Sequence, residues 1–227
     1  MIDFKGSHYL KDVILYAVFF YVRYAVSYRD LEEIMAERGV NVDHATLARW
    51  VVKYSPLLAR QAHRRKSGTS SSWRMDETYI KVKGKWLYLY RAVDKHGKTL
   101  DFMLSEHRDE DAASTFFART IGNNGWPEKV VIDKSGANSA GLQNMNWLLL
   151  FHGWFWLIEI CQVKYLNNII EQDHRFIKKV TRPMRGFKSF SSASATLDGI
   201  EVAHMIRKCQ FQTADQSAFQ QFAALAG

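Results

Sequence analysis

The sequence has few cysteines and prolines and no long uninterrupted apolar run. Its 227 residues include 2 cysteines and 3 prolines. Cys161 and Cys209 belong to no CxxC pair, and no Cys/His cluster has zinc-ligand spacing, so we expect a reduced, zinc-free protein. The longest apolar stretches, residues 13–22 and 147–158, are shorter than the roughly 18 residues of a membrane span.

The first apolar stretch also differs from the pattern of a secretory signal peptide. The first apolar stretch follows Lys11 and Asp12, lacks a small-residue cleavage site and continues into a helical pattern. A signal peptide is therefore not expected, and we expect a cytoplasmic protein.

Basic residues outnumber acidic residues in the sequence. The chain has 31 Lys and Arg against 23 Asp and Glu, which gives a net charge of +8 and a pI near 9.4. A basic surface of this kind suits a polyanion. With 47% hydrophobic residues, the chain can bury one main core and a small accessory module.

The first 54 residues predict an all-α module. An amphipathic pattern over residues 10–24 precedes a helix with Ser27 as its N-cap and Gly39 as its stop. A second helix begins after Asp43 and is expected to end at Pro56. Two short helices joined by a glycine-containing turn are typical of a helix-turn-helix, which reads DNA, although a small bundle that only packs shows the same pattern.

Residues 55–72 predict a basic, serine-rich linker. Arg60, Arg64, Arg65 and Lys66 lie there without an acidic residue. The segment either follows a phosphate backbone or is a solvated connector.

Residues 73–211 predict an α/β (α+β) domain. Two alternating runs meet at Gly84 as a hairpin, a third strand follows, and helices then alternate with strands at residues 129–133 and 156–160. Three antiparallel strands followed by alternating helix and strand give a ribonuclease-H-like fold with a mixed five-stranded sheet. A helix over residues 192–208 is expected to pack behind it, and residues 212–227 form a tail.

Three carboxylates occupy settings that suit metal chemistry. Asp76 lies within a strand pattern, Asp133 ends an apolar strand, and Glu171 lies on a helix. Carboxylates converging from such elements can hold a pair of divalent cations, which keep the attacking and leaving oxygens of a phosphodiester in line. Singly, Asp76 also fits an exposed strand carboxylate and Asp133 a helix cap.

Several long motifs carry a resemblance to a known family. They are RMDETYIKVKGKWLYLYRAVD, VIDKSGAN, QVKYLNNIIEQDHRFIKK and TRPMRGFKSFSSASATLDGIEVAHMIRK. In this order they resemble the DDE transposases of bacterial insertion sequences, specifically the cointegrate-forming family numbered six. The amino-terminal residues resemble the DNA-binding module of the same family, so the likeness covers roughly residues 4 to 211.

The resemblance implies a set of site residues. Asp76, Asp133 and Glu171 would form the catalytic triad and hold two Mg²⁺ ions, with Mn²⁺ as a substitute. Lys178, two helical turns after Glu171, would hold DNA beside the metals. Further DNA contacts are expected from the basic run after His174, from the residue beside Asp133 and from the amino-terminal segments, namely Arg175, Arg182, Arg185, Lys134, Arg49, Lys53, Arg64 and Arg65.

Other residues near these motifs are expected to be structural. Strand alternation and helical phase should point Glu77 and Asp173 away from the triad. Trp147, Trp154 and Trp156 could stack on a base, but their spacing favours core packing.

The resemblance implies a transposase that binds the inverted repeats of its element, cleaves the ends and transfers the 3′-hydroxyl to target DNA. It would act as a homodimer or larger assembly, associated with the nucleoid when bound. Two alternatives are a catalytically silent helix-turn-helix regulator derived from a transposase and a related metal-dependent nuclease. The first predicts a damaged triad, and the second needs no end-recognising module.

Overall fold

The protein is described by a computed structural model that covers residues 2–5, 8–133, 136–163, 168–211 and 215–227. The chain divides into two compact units. A helical unit comprises Met1–Ser67 and Phe176–Gly227, and a sheet unit comprises Gly68–Arg175. No helix among the described residues is both long and apolar enough to span a membrane.

The helical unit begins with α1 (Lys11–Arg23), α2 (Tyr28–Glu37) and α3 (His44–Arg65). The caps expected from the sequence are present. The Ser27 hydroxyl accepts from the Asp30 amide while the Asp30 carboxylate accepts from the Ser27 amide, and Asp43 accepts from the first amides of α3. Gly39 has a φ of 76°, which suits the turn between α2 and α3.

The expectation that Pro56 ends the second helix is wrong. Helix α3 continues through Pro56 to Arg65. A proline removes one backbone hydrogen bond, but Leu58, Ala59 and Ala62 beyond it are buried on the helix face that packs against α7. Burial of that face outweighs the missing bond, so residues 55–65 of the expected linker are helical.

The rest of the helical unit follows the end of α6 (Asn168–Thr181). A short 3-10 helix at Arg182–Met184 leads to α7 (Phe190–Arg207) and α8 (Ala218–Ala224). The sequence grouped the last long helix with the catalytic domain, but α7 packs against α1, α3 and α8. Helix α8, which begins with a capping box at Ser217, was not expected. The boundaries of the functional domains stay a prediction.

The sheet unit has the strand order expected of a ribonuclease-H-like fold. Its strands are β1 (Ser72–Val82), β2 (Lys85–Asp94), β3 (Thr99–Ser105), β4 (Lys129–Ile132) and β5 (Glu159–Gln162), in the order β3-β2-β1-β4-β5. The first three are antiparallel, and β4 and β5 run parallel to β1. Lys83 and Gly84, with φ of 49° and 79°, make the two-residue hairpin turn between β1 and β2.

Two helices cover one face of this sheet. They are α4 (Glu110–Asn124) and α5 (Gly136–Phe151). The core beneath them contains Trp73 and Met75 of β1, Tyr90 of β2, and Phe116 of α4, together with Val130 and Ile132 of β4. Strand alternation places the even-numbered β1 residues, including Asp76, on the opposite face.

The expectation that the tryptophans pack in the core is wrong. The side chains of Trp147, Trp154 and Trp156 are exposed, as are Phe151 and Phe155 nearby. Helix α5 is apolar on all sides near its end, and only Leu142, Met145 and Leu149 lie on the face that meets the sheet. One helix face cannot bury every apolar residue of this segment.

The close approach of α4 and α5 depends on Gly141. A Cβ at this position would lie 2.9 Å from the Ala113 Cβ and 3.0 Å from the Ser114 backbone nitrogen. We expect Gly141→Ala to lower the free energy of unfolding by about 1–3 kcal/mol, because α4 backbone must move to admit the methyl group. Urea denaturation measures the change.

Gly122 on α4 is the matched control, since nothing lies within 4 Å of a Cβ built there. Gly122→Ala should leave stability unchanged or raise it by up to about 1 kcal/mol, because alanine has the higher helix propensity. Equal effects of the two substitutions would contradict the proposed helix contact.

Candidate active site

Asp76 and Asp133 meet at the edge where β4 ends. The register of the parallel pair joins Ser72, Trp73 and Arg74 to Lys129, Val130 and Val131. Continued by two residues, it sets Asp133 opposite Asp76, but β4 stops at Ile132 while β1 runs on to Val82. Strand β1 therefore continues past the end of β4 at the position of Asp76. The Glu77 amide donates to Asp76 Oδ1 at 2.9 Å.

Glu77 joins this pair, contrary to the sequence expectation. One ligand oxygen from each of Asp76, Glu77 and Asp133 lies within 4.8 Å of the other two. Alternation does place Glu77 on the face covered by α4 and α5. Strand β4 ends at Ile132, and oxygens of both side chains lie within 4.8 Å of an Asp133 oxygen.

Two polar side chains from the α4 and α5 side hold Glu77 and Asp133. Arg108, just before α4, lies 3.5 Å from Glu77 Oε1 and 3.5 Å from Asp133 Oδ2. Asn138, fully buried on α5, donates from Nδ2 to Asp133 Oδ1 at 3.4 Å. One guanidinium and one amide therefore orient both carboxylates.

Helix α6 approaches Asp76 from the opposite face. Arg91 lies directly across from Asp76 on β2, and its guanidinium donates to Asp173 Oδ2 at 3.3 Å. His174 Nδ1 lies 3.8 Å from Asp76 Oδ2. Asp173 is thus structural, as the sequence predicts, and it ties the beginning of α6 to the strand beside Asp76.

Glu171 lies on the first turn of α6 with an exposed side chain. Its carboxylate is outside the close group formed by the other three acids, but it is near enough for its charge to raise the pKa of Asp76. The structure therefore brings Asp76 and Asp133 together and places Glu171 at the rim of the same site.

Burial makes this cluster costly to ionise. The pKa of Asp76 is raised to about 7, and burial is the largest cause. A hydrogen bond from the Glu77 amide acts against it, and the charges of Glu77, Asp133 and Glu171 add to the rise. Burial also raises the pKa of Glu77, while Arg108 lowers it. Carboxylates in this setting gain from a nearby cation.

The residues present fit a divalent metal ion of the Mg²⁺ or Mn²⁺ type. Such hard cations take carboxylate and amide oxygens. Glu77 Oε2 and Asn138 Oδ1 are buried and receive no hydrogen bond from any residue that the structure describes. Carboxylate oxygens of Asp76 and Asp133 lie within 4.8 Å of a Glu77 oxygen, so oxygen donors predominate.

The predicted DNA-contact residues fall into two groups. On α6 and just after it, the exposed side chains are Arg175, Lys178, Arg182 and Arg185, while on α3 they are Arg49, Lys53, Arg64 and Arg65. Three of the α3 residues have contacts within the helical unit. Arg49 donates to Thr46 Oγ1 at 2.7 Å, Arg65 donates to the Ala224 carbonyl at 2.7 Å, and Lys53 Nζ lies 5.0 Å from the Tyr54 ring centre. Lys134 lies outside the described residues.

Lys179 has a different setting from Lys178. It lines a pocket of the helical unit together with Arg23, Tyr24, Phe176 and Arg207. The Arg207 guanidinium lies 5.3 Å from the Phe176 ring centre, and that of Arg23 lies 5.9 Å from the Tyr24 ring centre. The two neighbouring lysines thus face different surroundings.

The raised pKa of Asp76 makes a prediction about stability. The folded state holds this proton up to about pH 7, whereas the unfolded chain releases it near pH 3.8. The metal-free protein should therefore lose stability as pH rises through that window. Asp76→Asn should remove this contribution and be more stable than the wild type at pH 8, by on the order of 1–3 kcal/mol.

Urea denaturation in EDTA at about pH 5 and pH 8 measures the difference, which should shrink at the lower pH. Asp215→Asn, at an exposed carboxylate, is the control and should change stability little at either pH. An Asp76→Asn variant less stable than the wild type at pH 8 would contradict the proposed cost of ionisation.

Comparisons with known proteins identify the family of this chain. The DDE domain family matches residues 70–210. Two Staphylococcus aureus proteins, the transposase for insertion sequence-like element IS431mec and the transposase for insertion sequence element IS257 in transposon Tn4003, are each 44% identical over 209 residues. In both, the match covers 90% of this chain and 88% of the relative.

Solved structures show weaker likeness. A chain of the simian T-cell lymphotropic virus intasome aligns with a TM-score of 0.47 at 14% identity, covering 70% of this chain and 56% of that one. The HTLV-2 integrase catalytic core domain in complex with magnesium, in its dimeric form, aligns at 0.45 and 14% identity, covering 70% and 99%.

The family assignment rests on the sequence matches alone. The DDE domain spans more than half of the chain, and the identity to the two transposases extends over nearly all of it. This chain belongs to the DDE transposases of bacterial insertion sequences, in the family numbered six.

Proposed function

We propose that this DDE transposase binds the terminal inverted repeats of its element, cleaves the DNA at their ends and joins the freed 3′-hydroxyl to target DNA. The observation that carries the proposal is the meeting of Asp76 and Asp133 at the edge of the sheet, with Glu171 on the adjoining helix. The three acidic residues that a silent regulator would have lost are all present in the sequence, which favours the enzyme over the regulator.

Asp76, Asp133 and Glu171 would hold the metal ions. When bound, two divalent cations supply charge stabilisation for the phosphodiester and activate first water and then the 3′-hydroxyl. The protein's own part is to fix the carboxylates. Arg108 and Asn138 hold Asp133, the Glu77 amide and His174 flank Asp76, and the Arg91–Asp173 pair fixes the helix that bears Glu171.

The amino-terminal helices would read the inverted repeat. Helix α3 follows a capped α2 and a tight turn at Gly39, and its exposed Arg49 and Lys53 lie on the side opposite the buried Leu47 and Val51. A second helix with a buried face and a basic exposed face is typical of a helix that enters the major groove.

The basic residues of α6 would position the strand to be cut. Arg175 and Lys178 follow Glu171 on one continuous helix and are exposed. Lys178 lies about two turns from Glu171, so both lie on the same side of the helix. Because two element ends must be held together for joining, we propose that a homodimer or larger assembly acts on DNA.

Substitution of the triad tests the proposal. Asp76→Asn, Asp133→Asn and Glu171→Gln should each abolish cleavage and joining of a labelled end substrate in Mg²⁺, because each removes a metal-ligand charge. Binding to the inverted repeat, measured by fluorescence anisotropy, should stay within about threefold of the wild type.

Glu159→Gln is the control, since Glu159 is an exposed carboxylate on β5 that pairs with Lys129. It should keep normal cleavage and joining. A wild-type protein that binds the repeat but never cuts it would support the silent regulator instead, and cutting without preference for the repeat would support a general nuclease.

The two neighbouring lysines give a sharper prediction. Lys178→Ala should remove a contact to a phosphate near the cleaved bond, worth about 1–3 kcal/mol. Strand transfer should then fall roughly 10- to 100-fold. Lys179→Ala should reduce strand transfer less, because Lys179 lies about 100° round the helix and lines the pocket with Arg23 and Arg207.

Both variants are compared at saturating end DNA, so that a change in affinity does not register as a change in rate. Equal rates, or a larger loss at Lys179, would show that the assigned helix face or the role of Lys178 is wrong.

A further inference from the structure

We propose that Glu77 is a fourth carboxylate of the metal-binding set and contributes its Oε2 atom beside Asp76 and Asp133. This inference rests on the proposed function, which places divalent cations at these carboxylates. It adds a ligand that lies outside the Asp76, Asp133 and Glu171 triad.

The first argument is distance. Ligand oxygens of Asp76, Glu77 and Asp133 lie within 4.8 Å of one another, and this is the group of three metal-ligating side chains that the described residues bring together. A single cation contacts oxygens at about 2.0–2.6 Å, so oxygens up to about 5 Å apart can share one ion. The three carboxylates satisfy that spacing.

The second argument is an unpaired oxygen. The Glu77 side chain is only 4% exposed, and its Oε2 receives no hydrogen bond from the residues that the structure describes. A side-chain interaction with Asn138 lowers the pKa of Glu77, so the Asn138 amide lies beside this carboxylate. Its Nδ2 donates to Asp133 Oδ1 at 3.4 Å, and its own Oδ1 is also buried without a donor among the described residues. A buried carboxylate oxygen without a donor is costly, and a hard cation would satisfy it.

The third argument is that the two carboxylate oxygens of Glu77 have different surroundings. Oε1 faces Arg108 at 3.5 Å, and Arg108 also reaches Asp133. The guanidinium therefore orients the Glu77 carboxylate through one oxygen and leaves the other, Oε2, without a hydrogen-bond donor among the described residues. Arg108 is a positioning residue in this arrangement.

Binding of Mn²⁺ to the full-length protein without DNA tests the inference. Calorimetry, checked by the Mn²⁺ electron paramagnetic resonance signal, should show that Glu77→Gln and Glu77→Asp both weaken binding roughly tenfold or more. Glutamine keeps the shape of the Glu77 side chain and loses its charge. Aspartate keeps the charge, but its side chain is shorter by one methylene group. Loss in both identifies a ligand.

Glu106→Gln is the control, because it removes an exposed carboxylate near the end of β3 and should leave Mn²⁺ affinity unchanged. Thermal unfolding without metal checks that each variant folds, and Mn²⁺ should raise the melting temperature of the wild type more than that of either Glu77 variant.

Two results would overturn the inference. Wild-type affinity in Glu77→Asp would mean that Glu77 acts only as a distant charge. Wild-type affinity in Glu77→Gln would remove it from the site. If Asp133→Asn also left Mn²⁺ affinity unchanged, the failure would lie in the proposed metal site itself and not in Glu77.

Discussion

The buried ion pair between Arg91 and Asp173 is the constraint on which the site depends. The Arg91 side chain is 1% exposed and that of Asp173 is 10% exposed. A buried guanidinium is tolerated only when its charge and donors are matched, and removal of one partner from such a pair typically costs about 3–5 kcal/mol. The pair therefore fixes the start of α6 against β2, directly opposite Asp76 in the strand register.

This ion pair explains how an exposed helix could hold Glu171 in place as the metal ligand that we propose. Glu171 is exposed, and it precedes Asp173 by about half a turn on the same helix. His174, 6% exposed, adds a second contact toward Asp76. Rigid elements with buried supports position a site more accurately than loops do.

The unequal lengths of β1 and β4 determine what lies in the site. Because β4 ends at Ile132 and β1 continues to Val82, the sheet has a notch beside Asp76. Side chains from both faces meet there, so the supports of Asp133 come from α4 and α5 while those of Asp76 come from α6. One site thus draws on both layers of helices.

Much of this arrangement follows from the sequence. Capping at Ser27 and Asp43 and the hairpin at Gly84 depend on interactions that span only a few residues, and the structure confirms them. The five-stranded sheet is also confirmed, because the order of strand and helix patterns along the chain is typical of its fold. Of the three carboxylates that the sequence predicts to converge, Asp76 and Asp133 lie close together in the structure.

The expectations that failed depended on distant contacts. Strand alternation correctly gave the face of Glu77, but its closeness to Asp133 depends on where a strand nearly 60 residues later stops. The continuation of α3 past Pro56 depends on burial against α7, far along the chain. The exposure of Trp147 depends on which few residues of α5 find room on the sheet.

The charges of the clustered acidic residues bear on both the stability of the fold and the proposed metal binding. Four acids, Asp76, Glu77, Asp133 and Glu171, converge with Arg108 as the cation that contacts two of them in the described part of the chain. Repulsion and burial together hold the pKa of Asp76 near 7. This excess of negative charge destabilises the folded chain when no cation is bound, and a bound cation would offset that cost. The stability lost at this edge of the sheet is therefore a source of free energy for the metal binding that we propose.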